Sequence, residues 1–193
     1  MIRGMSAEDI LKSAFARHAQ VFDSTTNILD TAGKAGELIA EALQSGKKVL
    51  ACGNGGSAAD AEHFIGELVC RYKDERRALP GISLVSNAAA LTAIANDYSF
   101  EDVFARQISA LGQAGDILVA ISTSGKSKNV LAALRAARQQ KMSTVLLTGQ
   151  KGTSLGNIAD VVVVVPSEET ARIQEMHELI YHGWCEFLDT QSL

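Results

Sequence analysis

The residues of this chain that could do chemistry fall into a few short stretches. The first is Gly53-Asn54-Gly55-Gly56-Ser57, which follows the apolar run at 47–52. Glycines let a backbone approach a ligand closely. Ser57 has the type of a good N-cap, and the free N–H groups of a helix start attract anions such as phosphate. The stretch is not a Walker A loop, because no Gly-Lys-Ser/Thr closes it. Nor is it a G-x-G-x-x-G, because Ala58 stands where the third glycine would be. The second stretch is Ser122-Thr123-Ser124-Gly125-Lys126-Ser127, with four hydroxyls in six residues. Hydroxyls beside helix N–H groups make a neutral cradle for phosphate, and four are more than caps and turns need. Two such loops imply a phosphorylated small molecule. With no Walker lysine and no ribose-binding acid, they argue against a nucleotide.

The ionisable residues come next. His63 and Glu67 stand four apart and project from one helix face. Such a pair chelates a divalent metal such as zinc, or sets a carboxylate base beside an imidazole, or simply pairs on a solvated face. Near the C-terminus stand Arg172, Gln174, Glu175, His177 and His182. Gln174 and His182 lie about 80° apart around a helix of ~3.6 residues per turn, so they share a broad face. Spacing alone does not choose between His177 and His182. His18 reads as a surface or packing residue. Asn96-Asp97 ends the apolar stretch LTAIAND, either as a helix C-cap or as a hydrogen-bonding pair for sugar hydroxyls.

These residues need a scaffold. Nearly all-apolar segments at 47–52, 81–86, 116–122, 143–148 and 160–166 read as strands of a parallel sheet covered on both faces. Helical patterns over 57–72, 88–111, 127–140 and about 168–189 alternate with them. This predicts an α/β fold, a three-layer sandwich around a five-stranded, Rossmann-like parallel sheet. Both polar loops then sit at strand carboxyl ends, where such sheets bind ligands. Residues 6–44 read as helical, with a break expected at Gly33 and Gly36 and a stop at Gly46. This N-terminal region, about 6–45, has an apolar face that packs on the core or across a subunit interface. The α/β core covers about 46–193.

Composition sets the frame. A length of 193 residues suits a single domain. The net charge of −4, and the lack of a basic helix-turn-helix ahead of the core, speak against nucleic acid. With 47% hydrophobic residues and only 2 prolines, the chain is not disordered. No apolar run nears the ~18 residues of a membrane span, and no secretory h-region is visible at the start. Cys52, Cys70 and Cys185 are widely spaced without a CxxC, which suggests reduced thiols and a cytoplasmic location.

The stretches CGNGGSAADAEHFIGEL, IANDYSF, ISTSGKSKNV and ARIQEMHELIYH together resemble the sugar isomerase (SIS) fold. More narrowly, they resemble the bacterial phosphoheptose isomerases, which convert sedoheptulose 7-phosphate to D-glycero-D-manno-heptose 7-phosphate. The resemblance covers nearly the whole chain in order. It implies an aldose–ketose isomerase working through an enediol(ate), as a first step toward ADP-heptose for lipopolysaccharide or another glycan. It implies that Ser122, Thr123, Ser124 and Ser127 hold the sugar phosphate, and that Asn54, Gly55, Gly56 and Ser57 line the same pocket. Asn96, Asp97, Glu67 and Gln174 would contact the substrate. Glu67 would be the base and His182, rather than His177, its partner acid/base. One zinc per subunit is implied on His63, Glu67, Gln174 and His182. So is a homotetramer with sites near subunit interfaces, which leaves open whether Glu67 and His182 come from different chains. One departure is Ala171, where some of these isomerases carry Asp. Another close relative is a non-catalytic SIS protein that binds the bacterial replication initiator. It lacks the glutamate and histidine that stand here as Glu67 and His182, and their presence decides for an enzyme.

Overall fold

The computed structural model describes residues 4–193, apart from the side chains at 27 and 154–156. In chain order the elements are α1 (Ala7–Asp23), α2 (Leu29–Gln44), β1 (Val49–Gly53), α3 (Gly56–Val69), β2 (Gly81–Ser83), α4 (Ala88–Asp97), α5 (Val103–Leu111), β3 (Ile117–Ser122), α6 (Lys128–Gln139), β4 (Ser143–Gly149), β5 (Val161–Val165) and α7 (Thr170–Asp189). The five strands pair in parallel in the order β2-β1-β3-β4-β5.

Burial explains the all-apolar strands. Every residue of β1 and β3 is buried. Successive side chains of a strand point to opposite faces. Val49, Ala51, Ile117 and Val119 therefore pack on one layer, with α2, α3 and α7. Leu50, Cys52, Leu118 and Ala120 pack on the other, with α5 and α6. This is the expected three-layer sandwich.

Three boundaries differ from the sequence reading. The first two helices break at the 3-10 turn Thr25–Ile28, not at Gly33 and Gly36. Both glycines lie inside α2, whose buried Ala32, Ala35, Ile39 and Leu43 tie it to the core. The Trp184 indole donates to the Ala32 carbonyl at 2.8 Å across the same stretch. Tertiary packing outweighs the ~1 kcal/mol that a helical glycine costs. The helical pattern at 88–111 splits into α4 and α5 around the turn Phe100–Asp102. The edge strand β2 stops at Ser83, where the Ser86 hydroxyl bonds the Ser83 carbonyl at 2.9 Å and turns the chain.

Helix α1 buries none of its residues. Ile10, Leu11, Phe15 and Phe22 are exposed, Phe15 by 73%. Its anchors are Val21, packed against Val165, Ile173 and Met176, and three polar contacts: Arg17 to Glu169 at 3.0 Å, His18 to Glu175 at 2.7 Å, and the Ala14 carbonyl to Arg172 at 2.8 Å.

A buried ion pair ties together the starts of β1 and β3. Asp116, 1% exposed, accepts from Lys48 Nζ at 2.5 Å and from the Lys48 and Gln113 backbone N–H groups at 3.1 and 2.8 Å. Removing one partner of such a pair leaves a buried charge and N–H groups without acceptors. The Asp116→Ala variant should therefore lose about 3 kcal/mol of stability. Denaturant titration checks this as a lower midpoint with an unchanged slope.

Candidate active site

The strand order 2-1-3-4-5 reverses direction between β1 and β3. In open parallel sheets the crevice at the carboxyl ends of the strands flanking such a reversal is where ligands bind. The two polar loops leave from these two strands, which pair along their length up to Gly53 and Ile121. Each loop feeds the N-terminus of a helix, α3 or α6. A pair of amides joins them: Asn54 Nδ2 donates to Asn129 Oδ1, and Asn129 Nδ2 donates to Asn54 Oδ1, both at 2.8 Å.

Ser57 is not an N-cap. Helix α3 starts at Gly56, with Gly55 at the cap position in a left-handed conformation, φ 57°. That turn starts the helix early and leaves Ser57 buried in the first turn, its N–H on the Asn54 carbonyl at 3.0 Å. A Cβ on Gly56 would come within 2.4 Å of Gln174 Nε2, so this glycine makes room for the Gln174 amide over the loop. In the second loop, the Ser122 and Ser127 hydroxyls pair at 3.1 Å and Ser124 Oγ accepts the Lys126 N–H at 3.2 Å. Thr123 gives its carbonyl to the Gly149 N–H at 3.0 Å. Asn96 and Asp97 close α4, exposed, with Asn96 Nδ2 on Asp97 Oδ1 at 2.9 Å. The following turn reaches the start of α6, where Glu101 pairs with Lys128 at 2.7 Å.

The ionisable cluster lies between α3 and α7. His63 Nε2 donates to Glu67 Oε1 at 3.1 Å, and His182 Nε2 stands 3.5 Å from the same nitrogen. The three donor atoms lie within 4.8 Å of one another in a single chain, so no second subunit is needed to bring Glu67 and His182 together. The Tyr181 hydroxyl meets His63 Nδ1 at 3.0 Å, and His182 stacks on Tyr72 with ring centroids 5.3 Å apart. Gln174, expected beside them, is eight residues before His182, about 12 Å along α7 at ~1.5 Å per residue, and serves the glycine turn instead.

Several neighbours escaped the sequence reading. Asp60, one turn before His63, is half-buried; burial and then Glu178 push it up to about 6, partly opposed by His63. Its signal was its place three residues before His63. Burial, helped by nearby carboxylates, keeps the Tyr181 hydroxyl protonated far above its usual range. Arg76 caps the end of α3, with Nη2 on the Glu67 carbonyl at 2.8 Å and Nη1 on the Leu68 carbonyl at 2.9 Å. Its Nε bonds Asp189 at the end of α7 at 2.8 Å. Nothing in the exposed-looking run around Arg76 marks it. A groove of about 670 Å³ lies elsewhere. It is apolar, lined by Phe22, Leu29, Leu179, Trp184 and Phe187 among others, and it holds none of this chemistry.

A SIS domain family model matches residues 14–149. The chain is 49% identical to the phosphoheptose isomerase of Campylobacter concisus over 93% of this chain and 95% of that one. It is 48% identical to that of Campylobacter jejuni over 94% and 97%. The solved phosphoheptose isomerases of Neisseria gonorrhoeae and Francisella tularensis superpose with TM-scores of 0.90 and 0.92, at 39% and 38% identity. They cover 96% and 97% of this chain and 100% of their own. The chain belongs to the phosphoheptose isomerase family of SIS-domain proteins. It is an isomerase, as the sequence reading expected, and the non-catalytic alternative is not favoured.

In this phosphoheptose isomerase family member the two α7 histidines part company. Five residues is about 140° around a helix, so His177 and His182 face different surroundings. His177 is fully buried, with Nε2 donating to the Thr148 carbonyl at 3.3 Å. Burial holds it neutral and pulls its pKa down from 6.5 to about 4, against the weaker opposing effect of that hydrogen bond. His177 is a core residue and does not reach the cluster. Cys52 and Cys185 are likewise buried, and burial pushes both thiols up to about 12. The unfolded chain takes a proton on His177 below about 6.5, and the folded chain only near about 4. Stability should therefore fall as pH drops through that window, by up to roughly 1.4 kcal/mol per unit from this group. Denaturant titrations at pH 7, 5.5 and 4.5 should show His177→Gln lacking that component, so its deficit against wild type shrinks toward low pH.

Proposed function

We propose that Glu67 and His182 carry the acid–base chemistry by which this isomerase interconverts sedoheptulose 7-phosphate and D-glycero-D-manno-heptose 7-phosphate. The observation that carries the proposal is the meeting of Glu67, His63 and His182 on facing helices, 24% and 41% of the Glu67 and His63 side chains being open to solvent. An aldose–ketose isomerisation needs a base to take the proton from the carbon beside the carbonyl. It also needs an acid to move protons between the two oxygens of the enediol(ate). Glu67 would be the base, its carboxylate held by the His63 imidazole. An imidazole suits proton exchange near neutral pH, and His182 is the histidine of the cluster that is not hydrogen-bonded to Glu67. The phosphate would rest in the paired loops, Asn54 to Ser57 and Ser122 to Ser127. Its remote binding energy would orient the reacting end of the sugar, with Asn96, Asp97 and Gln174 as further substrate contacts.

The donor set also fits a metal. His63, Glu67 and His182 supply the nitrogen and oxygen atoms that zinc prefers, and three protein ligands leave a position open, as in catalytic sites. The Tyr181 hydroxyl both donates and accepts, so it can hold His63 in the tautomer that frees Nε2 for a metal. Zinc, when bound, would polarise the sugar carbonyl as a Lewis acid. The two roles of Glu67 compete, because a carboxylate on zinc is a poorer base. Gln174 would complete a four-ligand set only from a second copy of the chain, since its own lies two turns away from His182.

We read the assembly as a homotetramer with sites near subunit interfaces. The exposed apolar residues of α1 and the apolar groove beside α7 support this. So does the spacing along α3, where Glu67 lies ~16 Å beyond the glycine turn at ~1.5 Å per residue. The cysteines are all free, which suits the cytoplasm, and the product class suits ADP-heptose precursor supply for lipopolysaccharide or another glycan.

Turnover of sedoheptulose 7-phosphate, followed as aldose phosphate formation, tests the assignment. Glu67→Gln should lose 10²-fold or more in kcat while still binding substrate, as expected for a removed general base. Binding without turnover by the wild type, with or without zinc, would instead favour a non-catalytic SIS protein. In sedimentation velocity, Phe15→Glu should shift the tetramer toward smaller species, and an unchanged tetramer would remove α1 from the interface.

A further inference from the structure

Asn129 belongs to none of the functional expectations, yet it is 3% exposed and sits in the first turn of α6, between the two anion-binding loops. We propose that Asn129 is a positioning residue that sets which way the Asn54 amide faces. The argument starts from hydrogen-bond valence. The oxygen and nitrogen of an Asn amide exchange places on a 180° flip, and only the partners decide between the two. Asn129 Oδ1 accepts the backbone N–H of Val130 at 2.9 Å. A backbone N–H only donates, so this atom must be the oxygen. Asn129 Nδ2 is then the donor, and the Asn54 atom 2.8 Å away must be an oxygen. Asn54 Nδ2 in turn donates to Asn129 Oδ1 at 2.8 Å, which fills both acceptor sites of that oxygen.

The orientation of Asn54 is therefore inherited from a backbone amide of α6 through Asn129. Asn54 is only half-buried and keeps one N–H and one lone pair for a ligand. A pre-set amide presents them without the cost of ordering a free side chain on binding. The same pair locks the glycine turn after β1 to the start of α6, so both loops hold one relative position. Substrate affinity should depend on Asn129 although Asn129 is itself buried and both acceptor sites of its oxygen are taken within the protein. The inference rests on the reading of Asn54 as a substrate contact.

The test is a double-mutant cycle on KM and kcat for sedoheptulose 7-phosphate, using Asn129→Ala, Asn54→Ala and the double variant. Asn129→Ala should raise KM roughly tenfold, the scale of one hydrogen bond, with kcat within about twofold. In the Asn54→Ala background the same change should move KM less than about twofold, because its route of action is gone. Additive effects on KM, or a fall in kcat at constant KM, would overturn the inference and leave Asn129 a merely structural residue. Asn129→Ser, which keeps a polar group in the helix start without the paired amide, guards against misfolding. It should show the same rise in KM, and a wild-type KM for it overturns the proposal. If Asn54→Ala leaves KM unchanged, the reading of Asn54 fails; if only the Asn129 variants leave it unchanged, the inference alone fails.

Discussion

Helix α3 is held at both ends and along its middle. At its start, the Gln174 amide of α7 fills the space that the missing side chain of Gly56 leaves. Along its length, the Phe64 ring lies 5.8 Å from Tyr181 and 6.0 Å from Trp184. At its end, Arg76 bonds the last carbonyls and ties them to Asp189 of α7. Burial alone would raise the Asp189 carboxyl, but the N–H groups of Lys73 and Asp74 and the Arg76 guanidinium outweigh it and hold it low. The packing of α3 on α7 is thus the constraint on which the site depends. It sets His63 and Glu67 against His182, and it hangs all three from the glycine turn that faces the other loop.

The polar groups divide by solvation. His177 and the buried thiols sit where desolvation penalises charge, so they stay neutral and pack. His63 and Glu67 on α3 and His182 on α7 lie at the rim of the apolar layer, open to water. Tyr181 bridges the two regimes, its ring in the core and its hydroxyl on His63. Such an amphipathic residue lets a rigid interior orient a solvated imidazole.

Much of this was legible in the chain itself. All-apolar runs alternating with helical periods specify a parallel sheet covered on both faces, because nothing else buries such strands completely. Glycines and hydroxyls after two of those runs marked the two polar loops at neighbouring strand ends, and the spacing of His63 and Glu67 put them on one face. Boundaries were less legible. Gly33 and Gly36 look like a break, yet α2 runs through them because its packed side chains outweigh the local preference. Ser57 looks like a cap, yet the positive φ of Gly55 moves the helix start past it.

What the sequence by itself determined is the set of elements and the chemical character of each strand end, since these follow from local periodicity and residue type. Only the tertiary structure decided which histidine of α7 meets His63 and Glu67, because a 140° difference in facing has meaning only once a neighbour occupies one side. It also brought Arg76 to Asp189, Tyr181 to His63 and Asn129 to Asn54 from segments remote in the chain. No spacing rule joins Asn54 to Asn129 or Arg76 to Asp189; strand order and helix packing do, and those come from burying all the apolar surface at once.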